Sequence, residues 1–238
     1  FESDGINRIP LKMIQKIQHQ VFVDYTAQDI AILEKVEKLR REDLSRSVFG
    51  LGVVTGDNKT KLVKEVRVGF EAIYTGKEVS KYSLREAKNF ICFDRSELQQ
   101  VAPDEIYRAA EKLVYKTVSR KLIFALDTTA SLTSNSANIV IPDSMSLSVR
   151  AVLALLNSNL YTYMHFKLFG GVNKVAKENL MALPFPKISL PQQLEIERLV
   201  DEVIQGESDE ALQRFINEEI FTLSQSEIER IDSLCDGL

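Results

Sequence analysis

At 238 residues, with 45% hydrophobic and 27% charged side chains, the chain suits one large domain or a domain with a helical appendage, and wholesale disorder is excluded. No apolar run reaches the roughly 18 residues of a membrane span; the longest apolar region, 151–166, is broken by Asn157, Ser158, Asn159 and His165, so no membrane partner is expected. Cys92 and Cys235 have no disulfide or metal spacing and fit a cytoplasmic protein, and the acidic start Phe1-Glu2-Ser3-Asp4, with neither initiator Met nor signal peptide, reads as a cut from a longer polypeptide.

The net charge of −4 hides a division along the chain. Residues 1–44 carry 7 basic and 8 acidic side chains, a net of −1; residues 45–188 carry 20 against 13, a net of +7; residues 189–238 carry 3 against 13, a net of −10. A basic centre beside an acidic tail suits a molecule that meets a polyanion with its middle and faces water or protein with its end. Chance clustering on a solvated surface is the plain alternative.

Near the start, Ile14, Ile17 and Val21, then Ile30, Leu33, Val36 and Leu39, recur at three- and four-residue spacing, which predicts helix. Asp24-Tyr25-Thr26 interrupts the pattern, so a second helix starts near Thr26, with Glu34 and Lys38 as an i,i+4 pair. From Ser47 the period changes to short β-branched and aromatic runs: 48–54, 66–74, 90–93, 113–118, 121–126 and 138–141. Thr55-Gly56-Asp57-Asn58, Thr75-Gly76-Lys77 and Thr133-Ser134-Asn135-Ser136 separate them as turns, and the runs around Ser119-Arg120 read as a hairpin. A helix over 146–166, apolar on most sides and therefore buried, begins at a Ser cap. A short helix near 176–181 ends before Pro184-Phe185-Pro186. Further on, Pro191 opens a helix ending near Gly206, Ser208 caps the next, and Ser224-Gln225-Ser226-Glu227 is a capping box with Leu223 and Ile228 as its hydrophobic staple. The expected architecture is α+β: a mixed, largely antiparallel β domain over 45–188, flanked by an N-terminal helical segment, 1–44, and acidic C-terminal helices, 189–238.

Little in the chain points to catalysis. His19 and His165 have no second ligand at helical spacing, and packing or surface roles are their ordinary reading. Leu51-Gly52-Val53-Val54-Thr55-Gly56 lacks both the Gly-x-Gly-x-x-Gly spacing and a P-loop lysine, and Gly170-Gly171 lacks the Lys-Ser/Thr of a phosphate cradle. No catalytic or metal-binding residue is therefore expected. The sharper pattern is basic residues at turns: Asn58 and Lys59; Lys77 and Lys81 with Tyr82; Lys116, Arg120 and Lys121; Lys174 and Lys177. Loops on a β scaffold can carry lysine and arginine to phosphates, and Asn or Arg to base edges, so these ten residues are the candidates for DNA contact.

Several segments, in order, resemble the TaqI-like C-terminal specificity domains of restriction–modification enzymes and adenine-specific DNA methyltransferases. They are Phe49-Gly50-Leu51-Gly52-Val53-Val54-Thr55-Gly56-Asp57-Asn58, Ile73-Tyr74-Thr75-Gly76-Lys77-Glu78-Val79-Ser80-Lys81-Tyr82, Glu111-Lys112-Leu113-Val114-Tyr115 and Ser134-Asn135-Ser136-Ala137-Asn138. The series closes with Leu155-Leu156-Asn157-Ser158-Asn159-Leu160, Gly170-Gly171-Val172-Asn173-Lys174-Val175 and Leu180-Met181-Ala182-Leu183-Pro184-Phe185-Pro186. The resemblance implies a module that reads double-stranded DNA for a covalently linked or associated methyltransferase domain. That parent would take its methyl group from S-adenosylmethionine and flip the target adenine out of the duplex. The family's catalytic Asn-Pro-Pro-Tyr or Asp-Pro-Pro-Tyr motif and its cofactor glycines are absent from these residues, so neither activity nor cofactor is carried over. The alternative is a protein-interaction or scaffolding module that works through its acidic helices.

Overall fold

The structure, a computed structural model, describes residues 25–238. The expected helix around Ile14, Ile17 and Val21, and His19 with it, lies outside the described residues. Thr26 caps the helix Ala27–Lys38: its hydroxyl accepts from the Asp29 amide at 3.1 Å, and the Asp29 carboxylate accepts from the Thr26 amide at 2.8 Å. Of the expected stripe Leu33 and Val36 are buried while Ile30 and Leu39 are half-buried, and Ile32 joins the buried face. Lys35 of this helix pairs with Glu227 at 2.6 Å, and Asp29 pairs with Lys167 at 2.8 Å and Arg230 at 2.9 Å.

Ten strands follow among the described residues: β1 (Arg40–Glu42), β2 (Val48–Gly50), β3 (Glu71–Tyr74), β4 (Tyr82–Ser83), β5 (Phe90–Ile91), β6 (Lys112–Lys116), β7 (Phe124–Asp127), β8 (Leu132–Thr133), β9 (Ala137–Ile141) and β10 (Phe185–Pro186). A five-stranded sheet runs β2-β9-β6-β7-β4, antiparallel except where β4 meets β7, and a three-stranded sheet runs β5-β3-β8 with β3 and β8 parallel. The fold is α+β with mixed, largely antiparallel sheets, as expected. β6 is central because both its neighbours pair along its length: Leu113 faces Leu126 and Val140, and Val114 faces Ala125 and Ile139. At its start Lys112 meets Asp127 at 2.7 Å with both side chains fully buried, and Lys112 also donates to the Tyr107 carbonyl at 2.7 Å, so this lysine is committed to the interior.

Three expectations need correction. The run 66–74 pairs only from Glu71, because Gly69 turns the backbone at φ +78° and leaves Val66 and Val68 in solvent, 75% and 103% exposed. The hairpin at Ser119-Arg120 is wider than a two-residue turn. The β6–β7 ladder reaches Tyr115 opposite Phe124, with a last bond from the Lys116 amide to the Ile123 carbonyl. Beyond that point the chain pairs elsewhere: Ser119 donates to Asn173 and Val175 donates to Thr117. The helix expected over 146–166 is two, Val149–Asn157 and Asn159–Phe169. Ser158 sits between them at ψ 154°, ending the first and capping the second through its bond from the Tyr161 amide at 3.2 Å.

That break positions the Asn157-Ser158-Asn159 triplet. Asn157 accepts from the Phe124 amide and donates to the Phe124 carbonyl, both at 2.9 Å, so it clamps β7 as another strand would. Asn159 donates to Asp232 at 2.8 Å and its carbonyl accepts from the Cys235 thiol at 3.3 Å, which ties the pair of helices to the C-terminal helix Gln225–Asp236. The capping box there forms as expected, Glu227 accepting from the Ser224 amide at 2.7 Å. Pro191 lies in the first turn of the helix Leu190–Ile204. One hydrophobic core joins Ile32 and Leu33, the five-stranded sheet, the two apolar helices and Ile196, Leu212, Phe221 and Ile231 of the C-terminal segment.

His165 lies inside this core, its ring 5.3 Å from Phe169 and its Nε2 without a hydrogen-bond partner among the described residues. Burial lowers its pKa from 6.5 to about 4. The unfolded chain takes up a proton below about 6.5, whereas the folded one resists protonation until about 4, so this histidine's contribution is lost as pH falls through that window. His165→Phe is expected to flatten the fall in stability there, measured by urea midpoints at neutral and acidic pH. An unchanged slope would show that other groups carry it.

Candidate nucleic-acid interface

The turn Thr75-Gly76-Lys77-Glu78 leaves the end of β3 and closes on itself: the Glu78 carboxylate accepts from the Thr75 amide at 2.8 Å and from its hydroxyl at 2.6 Å. This lays the Gly76 backbone against the loop between β8 and β9, where its amide donates to the Ser136 hydroxyl at 3.0 Å. A Cβ on residue 76 would stand 2.7 Å from the Ser136 carbonyl oxygen, so glycine allows the approach. Thr117, just past β6, donates to that same carbonyl at 3.2 Å. Ser134 and Ser136 share a hydroxyl contact of 2.9 Å between them.

These loops wall an open cleft of about 610 Å³. Lys64, Lys77, Lys88 and Lys116 line it, with Asn58, Asn89, Ser134, Ser136 and Val118 between them. Lys64 donates to Asn89 at 2.7 Å. Among the described residues none of the four lysines has a carboxylate partner, and Glu78, the acidic residue of the lining, is buried and held by Thr75. The cleft is therefore strongly positive at its rim, with hydroxyl and amide groups inside.

Three sequence-predicted residues meet here: Asn58, Lys77 and Lys116. Asn58 opens the short helix Asn58–Lys61, its amide oxygen accepting from the Thr55 hydroxyl at 2.6 Å, and Lys59 is exposed beside it. Arg120 and Lys121 lie in the wide loop after β6, and Lys174 is exposed on the segment paired to that loop. Lys177 places its ammonium 5.3 Å from the centre of the Phe49 ring. Lys81 and Tyr82 turn away from the cleft. Lys81 approaches Asp209 at 3.7 Å, and Tyr82, 2% exposed at φ +70°, donates to the same carboxylate at 3.4 Å. Burial, and then the Asp209 carboxylate, push the Tyr82 phenol well above its usual pKa. Tyr82 thus anchors the acidic C-terminal segment to the sheet and is withheld from surface contact, which corrects its place among the DNA-contact candidates.

Sequence reasoning missed Lys64, Lys88 and Val118 as site residues, and took Ser134 and Ser136 as turn formers only. Lys88-Asn89 does stand next to the strand residue Phe90, a basic residue at a strand edge like those already singled out. Val118 carried no signal, since its exposure depends on which segment its neighbours pair with.

Residues 71–185 match the family described as TaqI-like C-terminal specificity domain. A search among curated proteins finds no match. Among solved structures, the chain is similar to the Type IIL restriction–modification enzyme MmeI in complex with DNA, at 12% identity and a TM-score of 0.49, over 81% of this chain and 32% of that one. It is also similar to the HsdS subunit from Thermoanaerobacter tengcongensis, at 14% identity and a TM-score of 0.41, over 86% of this chain and 50% of that one. The chain therefore spans about a third of the length of the first of these proteins and half of the second. The family match opens at β3 and closes in β10, leaving the Phe49–Asn58 segment outside it. Over residues 71–185, just under half of its length, the chain is similar to the TaqI-like C-terminal specificity domains.

Proposed function

We propose that this chain is the sequence-reading module of a restriction–modification adenine DNA methyltransferase, holding double-stranded DNA so that a separate catalytic domain meets its target base. The cleft carries this reading: lysines without carboxylate partners surround hydroxyl and amide groups. Ammonium groups neutralise phosphates and fix register, while Ser and Asn side chains match donors and acceptors on base edges. The methyltransferase domain, covalently linked or associated, would hold S-adenosylmethionine and receive the flipped adenine. No residue of this chain is assigned to either task. Among the described residues no helix is long and apolar enough to cross a membrane, and a cytoplasmic location follows from the proposed role.

Fluorescence anisotropy with labelled duplexes over a range of salt concentrations tests the reading. If all four cleft lysines meet phosphates, log K falls against log salt with a slope of about −3 to −4. Absence of binding to any duplex at low salt would sink the proposal. A second reading, protein contact through the acidic helices, has the exposed Leu190 and Leu194 of the helix Leu190–Ile204 in its favour, and it predicts that null titration together with a tight protein partner.

A further inference from the structure

Val118 is an aliphatic side chain in a polar cleft, 71% exposed, on a backbone fixed from both sides. Thr117 donates to Ser136 at 3.2 Å and accepts from Val175 at 3.0 Å, Ser119 donates to Asn173 at 2.7 Å, and Val118 itself bridges to Lys174. Two residues after Lys116 in the chain, it lines the same cleft as that lysine. An apolar group presented rigidly beside phosphate-binding charges loses little freedom when a partner covers it. It can neither donate nor accept a hydrogen bond, so polar base edges offer it nothing. The apolar group that duplex DNA displays in its major groove is the C5-methyl of thymine.

We infer that Val118 packs on the C5-methyl group of a pyrimidine in the recognised duplex and so selects thymine at one position of the site. The inference rests on the cleft being the DNA-binding face. Lys116 beside it fixes the phosphate register, and Val118 adds sequence information that the lysines do not carry.

The test starts from a preferred duplex selected out of random sequence with the intact chain. Each thymine is then replaced singly by deoxyuridine, which removes only the methyl group, and affinity is read by anisotropy. Wild type is expected to lose about threefold to fivefold at one position, the value of one buried methyl group. Val118→Ala should show no loss at that position and keep the wild-type salt slope; its wild-type side chain is mostly in solvent, so the core is untouched. A Val118→Ala protein that keeps the same deoxyuridine loss overturns the inference, as does a wild type indifferent to every replacement. In both cases salt-dependent binding would persist and the wider reading would stand. Failure of wild type to bind any duplex overturns both.

Discussion

Replacing Lys64, Lys77, Lys88 and Lys116 together with Gln is expected to flatten the salt dependence of duplex binding by about three to four units of slope. Each lysine lines the cleft, and none has a carboxylate partner among the described residues, so each can exchange a bound salt ion for a phosphate. Affinity should fall for preferred and random duplexes alike, because phosphate contacts carry no sequence information. Lys81→Gln makes the contrast: its ammonium lies 3.7 Å from Asp209, away from the cleft lining, and the slope should stay at the wild-type value. Titrations at four or more salt concentrations separate the two. A fourfold variant with an unchanged slope would remove the cleft from the interface, wherever else DNA binds.

The largest expected loss of stability comes from Asp29→Ala. The Asp29 carboxylate is fully buried and accepts from Tyr163 at 2.6 Å, Lys167 at 2.8 Å and Arg230 at 2.9 Å, besides the Thr26 amide. Burial opposes its ionisation, but these donors outweigh burial and hold its pKa well below the ordinary carboxylate value. Removing it takes away the carboxylate against which the nearly buried Lys167 ammonium lies, a change that costs about 3–5 kcal/mol. Urea unfolding measures it; a loss under about 1 kcal/mol would mean that water or neighbouring groups replace the carboxylate at little cost. Three segments meet at this one group, the helices Ala27–Lys38, Asn159–Phe169 and Gln225–Asp236, so the variant also tests whether the flanking helices unfold with the sheet.

Local signals explain most of what the sequence disclosed of the fold. Thr26, Pro191 and Ser224 announced helix starts because capping depends on residues within one turn. The runs at 113–118 and 138–141 announced β6 and β9 because two-sided burial favours a continuous stretch of β-branched and aromatic residues. The pair β1–β10 gave no such signal. Arg40 finds Pro186 across the whole domain, and the three polar residues Arg40-Arg41-Glu42 form no period. The break at Ser158 was hidden for another reason: both halves are apolar, and the strand that Asn157 clamps from the last turn of the first helix, β7 at Phe124, comes from elsewhere in the chain.

For the site, residue type proved more legible than place. The sequence by itself determined the basic centre and acidic tail, the turns that carry lysine, the α+β class and the family likeness, all properties of composition or of neighbours along the chain. Tertiary structure alone decided which lysines stand together. It drew Lys64 and Lys88 into the cleft with Lys77 and Lys116, turned Lys81 and Tyr82 towards Asp209, and buried Lys112 against Asp127. A charge's task depends on what lies within a few ångströms of it, and in a sheet whose neighbours come from distant parts of the chain, sequence distance does not specify those few ångströms.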